Sequence, residues 1–141
     1  FKMKKLAILL SLSLLLAACD LGFPKMTVNY DNLPHGKIKE YITKTFPNEP
    51  EKEALSKMIY AQLSGDKSAD NIRKTVSQMG MTCEVEKEMC EYLGYIKTKV
   101  AGISSGSGRA KRIYHIVIFP KKGMDSLKIE YQIVEDTEKV N

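Results

Sequence analysis

No apolar stretch in this chain is long enough to cross a bilayer as a helix. The main run, Leu6 to Ala18, holds about 13 residues where a spanning helix needs roughly 20, so a permanent transmembrane helix is not expected. Histidine is scarce, with only His35 and His115, and the cysteines are limited to Cys19, Cys83 and Cys90. Metal sites bring cysteine and histidine partners closer in sequence than this, so neither a metal nor another cofactor is expected. A large excess of positive charge is lacking too. The full chain has 22 basic and 17 acidic residues, a net of +5, but Lys2, Lys4 and Lys5 fall in the first 18 residues. Without them the balance is 19 to 17, a net of +2. Nucleic-acid binding domains carry a strongly basic face, so no nucleic-acid partner is expected.

What is present begins at the amino terminus. Lys4 and Lys5 lead into the apolar run, which closes on small residues, the pattern of a bacterial secretory signal. The end of that run, Leu16-Ala17-Ala18-Cys19, resembles the lipobox of bacterial lipoproteins. The alternative is an ordinary cleaved signal with an incidental cysteine. The resemblance implies that residues 1–18 are a signal peptide, and that Cys19 is acylated, as by palmitate, and becomes the first residue of the mature chain. It also implies a protein held to the cell envelope by lipid and facing the periplasm. Asp20 resembles the inner-membrane retention signal of enterobacterial lipoproteins, which favours the inner membrane over the outer.

Removing 18 of 141 residues leaves 123, enough for one core but not two. In an oxidising compartment Cys83 and Cys90 are an even pair and read as a disulfide, with a redox or metal site and free thiols as the alternatives. Closing that loop of about eight residues stabilises the fold by roughly 2 to 3 kcal/mol. Residues 19–36 contain Gly22, Pro24, Asp31, Asn32, Pro34 and Gly36, the composition of a flexible tether. About fourteen such residues reach on the order of 45 Å, which would hold the domain clear of the bilayer. The alternative for Met26 to Tyr30 is an edge strand through Val28 and Tyr30.

The domain itself is expected over residues 37–134, followed by a polar, fraying tail over 135–141. Ile38, Tyr41, Ile42 and Thr45 recur at helical spacing up to Pro47, which disfavours helix at Phe46. A second helix is expected from a cap near Asn48, with Pro50 in its first turn and Ala54, Leu55, Met58, Ile59 and Leu63 on its apolar face. A third is expected from a cap at Ser68 to a stop at Gly80, with Ile72, Val76 and Met79 inward. The period then changes to two. Met81 to Val85 and Met89 to Val100 should pair across Glu86-Lys87-Glu88, Arg112 to Phe119 is rich in strand formers, and Leu127 to Ile133 alternates. The expected fold is α+β, two to three helices on one face of a three- to four-stranded antiparallel meander.

Functional candidates are few. Arg109, Lys111 and Arg112 form a basic spot in a Gly/Ser-rich loop, and Lys121 with Lys122 form another one turn later. A meander puts consecutive turns at opposite ends of the sheet, on the order of 27 Å apart, so the two spots cannot make one compact anion site. Each reads as solvated loop charge, with contact to a partner or to anionic headgroups as the alternative. The glycines of Ser104 to Gly108 lack the strand-to-helix context of a phosphate loop. Glu84, Glu86, Glu88 and Glu91 cluster about the cysteine hairpin as a solvated acidic face or a docking surface. Ser64-Gly65-Asp66-Lys67 matches the bare Ser-x-x-Lys of penicillin-interacting serine enzymes without their companion motifs. His115 sits in an apolar strand, where a packed histidine is commoner than a general base. No catalytic residue and no small-molecule substrate is therefore expected.

Over roughly residues 50–134 the order of elements is similar to the small lipoproteins of the outer-membrane assembly machinery of the SmpA/OmlA kind. Met79-Gly80-Met81-Thr82 echoes their Gly-Met-Thr, although here it closes a helix where theirs opens one. No binding residues carry over. Two functions are expected from these features: a non-catalytic adaptor or structural lipoprotein that binds an envelope protein, or an inhibitor, immunity or exclusion lipoprotein that neutralises a hydrolase or toxin.

Overall fold

The computed structural model describes residues 25–102 and 106–135. Among them lie three helices, α1 (Lys37–Thr45), α2 (Lys52–Ala61) and α3 (Ala69–Gln78). There are five strands, β1 (Lys25–Asn29), β2 (Thr82–Glu84), β3 (Met89–Gly102), β4 (Gly106–Ile118) and β5 (Lys128–Glu135). The strands form one antiparallel sheet in the order β1-β3-β4-β5, with β2 also on β3. The fold is α+β. Cys19, the signal segment and the tail beyond Glu135 lie outside the described residues.

Local chemistry sets the helix ends. α1 stops at Thr45 because Phe46, which precedes a proline, is driven to extended backbone with ψ 137°. α2 starts later than its sequence suggests. Its cap is Glu51, and Pro50 is buried ahead of the helix instead of lying in its first turn. At α3, the Ser68 hydroxyl accepts a hydrogen bond from the Asn71 amide, as a capping serine should. Its other end is a Schellman turn: the Gly80 amide donates to Ser77 and the Met81 amide to Val76. Gly80 has φ 110°, and a β-carbon there would come within 2.7 Å of the His35 carbonyl.

The edge of β3 is shared. Its C-terminal half pairs with β1, Lys25 facing Ala101 and Asn29 facing Lys97, while its N-terminal end pairs with β2 from Thr82↔Glu91 to Glu84↔Met89. Between them the turn after β1 fills the gap, where the Tyr95 amide donates to the Asn32 carbonyl. Residues of the segment read from composition as a tether thus enter the sheet from Lys25 onward. Only residues 20–24 separate Cys19 from the first strand, a reach of about 20 Å.

Alternate residues of the strands are buried: Cys90, Tyr92 and Ile96 on β3, Tyr114, Ile116 and Ile118 on β4, Ile129 on β5. They join Ile38, Ile42, Leu55, Ile59, Ile72 and Val76 of the helices in a single cluster. The Tyr92 hydroxyl, whose ring is fully buried, donates to the Pro34 carbonyl at 3.1 Å, so its polar atom is satisfied inside the core. Burial pushes the Tyr92 hydroxyl well above the usual phenol range. Cys83 and Cys90 are directly opposed and form the disulfide.

Candidate functional site

The residues between the buried ones make up the other face of the sheet. Because β3, β4 and β5 are in register, this face reads as transverse rows. Glu91, Val117 and Lys128 form one row, Leu93, His115 and Glu130 the next, then Tyr95, Ile113 and Gln132, then Lys97, Lys111 and Val134. The first two rows each hold one carboxylate, beside Lys128 in the first and His115 in the second; the third row carries no charge and the fourth is basic.

At the centre, Leu93 leaves 57% of its surface exposed beside the half-buried Ile113. An exposed aliphatic residue in the middle of a regular sheet has no cover within its own chain among the described residues. His115 is held beside it by Glu91, with Nε2 and a carboxylate oxygen 2.6 Å apart. Glu130 faces His115 from β5, so two carboxylates flank one imidazole. A groove of about 410 Å³ runs over Leu93, Ile113, His115 and Gln132, with Lys52 of α2 at its rim. A second hollow of about 180 Å³ continues over His115, Val117 and Phe119. Tyr131 also lines the larger groove, packed edge-on against Tyr114 at 5.5 Å. Burial, and then the charge of Glu49, push the Tyr131 hydroxyl well above the usual phenol range, so it stays neutral.

The acidic candidates do not act as one surface. In the turn after β2, Glu84 pairs with Lys87 at 3.3 Å, and Glu88 with Lys121 at 2.5 Å. Glu86 stays exposed in that turn, beside Val85 with 78% of its surface exposed. Glu91 lies apart from them, on the open face with His115.

The basic candidates are not in a loop, which corrects the sequence expectation. β4 begins at Gly106, and all three lie within it. Strand alternation then splits them. Arg109 and Lys111 share the open face, whereas Arg112 turns to the helix side, its guanidinium 5.0 Å from the centre of the Phe46 ring and donating to the Pro47 carbonyl. The structure gives Arg109 and Lys111 new neighbours, for Lys97 is opposite Lys111 and Lys99 opposite Arg109. Lys97 and Lys111 lie 5.9 and 5.1 Å from the centre of the Tyr95 ring. Alternation within Met89 to Val100 already put residues 91, 93, 95, 97 and 99 on one side, so this row was accessible from sequence. The missing piece was the strand pairing.

Ser64 lies in the turn beyond α2 with φ 54°, and the Lys67 ammonium rests over the Tyr60 ring at 4.9 Å. No hydrogen bond joins Ser64 to Lys67 among the described residues. Among those residues, too, no three histidine, cysteine or acidic side chains are placed to hold a metal ion, and no helix is long and apolar enough to cross a membrane.

The arrangement combines an apolar centre at Leu93 and Ile113 with hydrogen-bonding groups around it, mixed charge on one side and a basic row on the other. No protein-family model matches the chain, and no curated protein or solved structure matches it significantly.

Proposed function

We propose that this protein is a lipid-anchored envelope adaptor that works by protein binding, held to the membrane through Cys19 with its domain in the periplasm. Its helices cover one side of the sheet and leave the other for a partner. The observation that supports this most is the exposed Leu93, set beside Ile113 and the groove over His115. A large apolar side chain surrounded by a polar rim is the usual composition of an interaction site.

A photo-crosslinking residue in place of Leu93, used in living cells, tests the reading. The expected result is a discrete adduct with one resident envelope protein, weakened by Ile113→Asp. An adduct with a secreted hydrolase or toxin would replace the adaptor by the inhibitor reading. Absence of any adduct, with the protein folded and present in the membrane fraction, would sink both.

A further inference from the structure

β5 ends the sheet with one side of its backbone unpaired. It runs against β4 without a break from Ala110↔Glu135 to Val117↔Lys128, and among the described residues no strand pairs with its other edge. It holds neither proline nor glycine. Alternate N–H and C=O groups along that edge point away from the sheet, which makes it a template for another strand. Two further observations concern the same edge. Ile133, on the helix side opposite Arg112, leaves 57% of its surface exposed. The groove of about 410 Å³ reaches round the strand, because Tyr131 and Lys52 line it from the helix side and Glu130 and Gln132 from the open side.

The residues of β5 decide which strand fits. A second β5 laid antiparallel about a twofold axis normal to the sheet keeps like faces together, so one residue faces its own copy and sets the register. Only Tyr131 or Gln132 in that place lets nearly the whole strand overlap. With Gln132 there, the Glu135 carboxylate falls against the buried Ile129. With Tyr131 there, no like charges are directly opposed, as a stable ladder requires. The exposed Ile133 of each copy then lies against Ile129 of the other, Glu130 faces Gln132, and Lys128 faces Val134.

We propose that β5 pairs with β5 of a second copy of this chain, antiparallel and with Tyr131 facing Tyr131. The two sheets join in the order β1-β3-β4-β5-β5-β4-β3-β1, which is within the usual range of sheet size. Because the axis is normal to the sheet, both open faces look the same way. The two Leu93 side chains lie on strands about 24 Å apart, and the two His115 on strands about 14 Å apart. The pair therefore offers two grooves on one surface, and a partner that engages both is held more tightly than by either. The pairing stands apart from what the grooves bind.

The test uses the full chain, expressed in cells in two differently tagged forms, one carrying Glu130→Cys and the other Gln132→Cys. Both positions are exposed, and in the pair they face each other within reach of a disulfide. Mild oxidation should yield a dimer that carries both tags. Ile133→Glu in both forms should abolish it, with the fold of the separate chain intact by circular dichroism. Hydrogen exchange on the purified chain should find β5 an edge strand when dilute and protected as concentration rises. A purified chain that stays monomeric at every concentration, with no doubly tagged product in cells, would overturn the proposal. So would a dimer that forms without the link between positions 130 and 132 and survives Ile133→Glu, since the copies would then meet elsewhere. Adducts of these cysteines with a different protein alone would overturn the second copy as the occupant of this edge.

Discussion

Glu88 and Lys121 meet at 2.5 Å between the turn after β2 and the segment after β4. Hydrogen bonding and then the charge of Lys121 hold the Glu88 carboxyl below the usual glutamate range. The folded value is the lower one, so the pair contributes at pH above the ordinary glutamate value and is lost as pH falls through the folded value. Both groups are exposed, and the effect on stability is small. A carboxyl titration followed by NMR should place Glu88 below the ordinary glutamate range, and Lys121→Met should bring it back toward that range. Gly94 acts on a larger scale. A β-carbon there would meet Pro34 Cδ at 2.7 Å and the Asn32 carbonyl oxygen at 3.0 Å, where the turn after β1 crosses β3. Gly94→Ala should cost about 2 kcal/mol, seen as a thermal midpoint lower by roughly 10 °C. From the sequence this glycine reads only as an interruption in a strand, because the chain it accommodates lies some sixty positions earlier.

At the scale of elements, the helices were the most legible. Ile38 and Ile42, Leu55 and Ile59, and Ile72 and Val76 are all buried, as their spacing requires. The Ser68 cap and the Gly80 stop are local chemistry and hold wherever the helix docks. The start of α2 was misplaced because Asn48 and Pro50 satisfy the rules for a helix start, yet Pro50 is used for burial. β1 was visible only as the alternative to a tether, an edge strand over Met26 to Tyr30: five residues carry little alternation, and the prolines, glycines and asparagine around them weigh a window toward loop. The beginning of β4 was missed, since its glycines and serines resemble linker while its partner strand holds them extended. The hairpin of β2 and β3 was read from its cysteines. Replacing both Cys83 and Cys90 by serine should cost about 2 to 3 kcal/mol, measured as a lower urea midpoint, by freeing the unfolded loop. A loss well below that would mean that the ladder between β2 and β3 already fixes the hairpin without the bond.

For the whole molecule, the sheet order predicts a gradient of local stability. β3 and β4 are paired on both sides over much of their length, whereas β1 and β5 each have one partner strand. Hydrogen exchange should find the slowest amides around Tyr92 and Ile116 and faster ones in β1 and β5. Equal protection in β1 and β4 would contradict this. The basic end of the open face is likewise a property of the assembled sheet: Lys97 and Lys99 become neighbours of Lys111 and Arg109 only through register. The sequence placed one basic spot in a loop because it had no means of aligning β3 with β4.

The shared edge of β3 also gives the molecule a mechanical polarity. β1 runs inward from Lys25 toward Asn29, antiparallel to its partner. A pull transmitted through the residues before Lys25 acts along the strand, and the ladder bears it in shear, with all its rungs loaded together. The same force applied crosswise at Asn29 would open them one after another. Tugged from its amino-terminal side, the sheet behaves as a holdfast and not as a zipper.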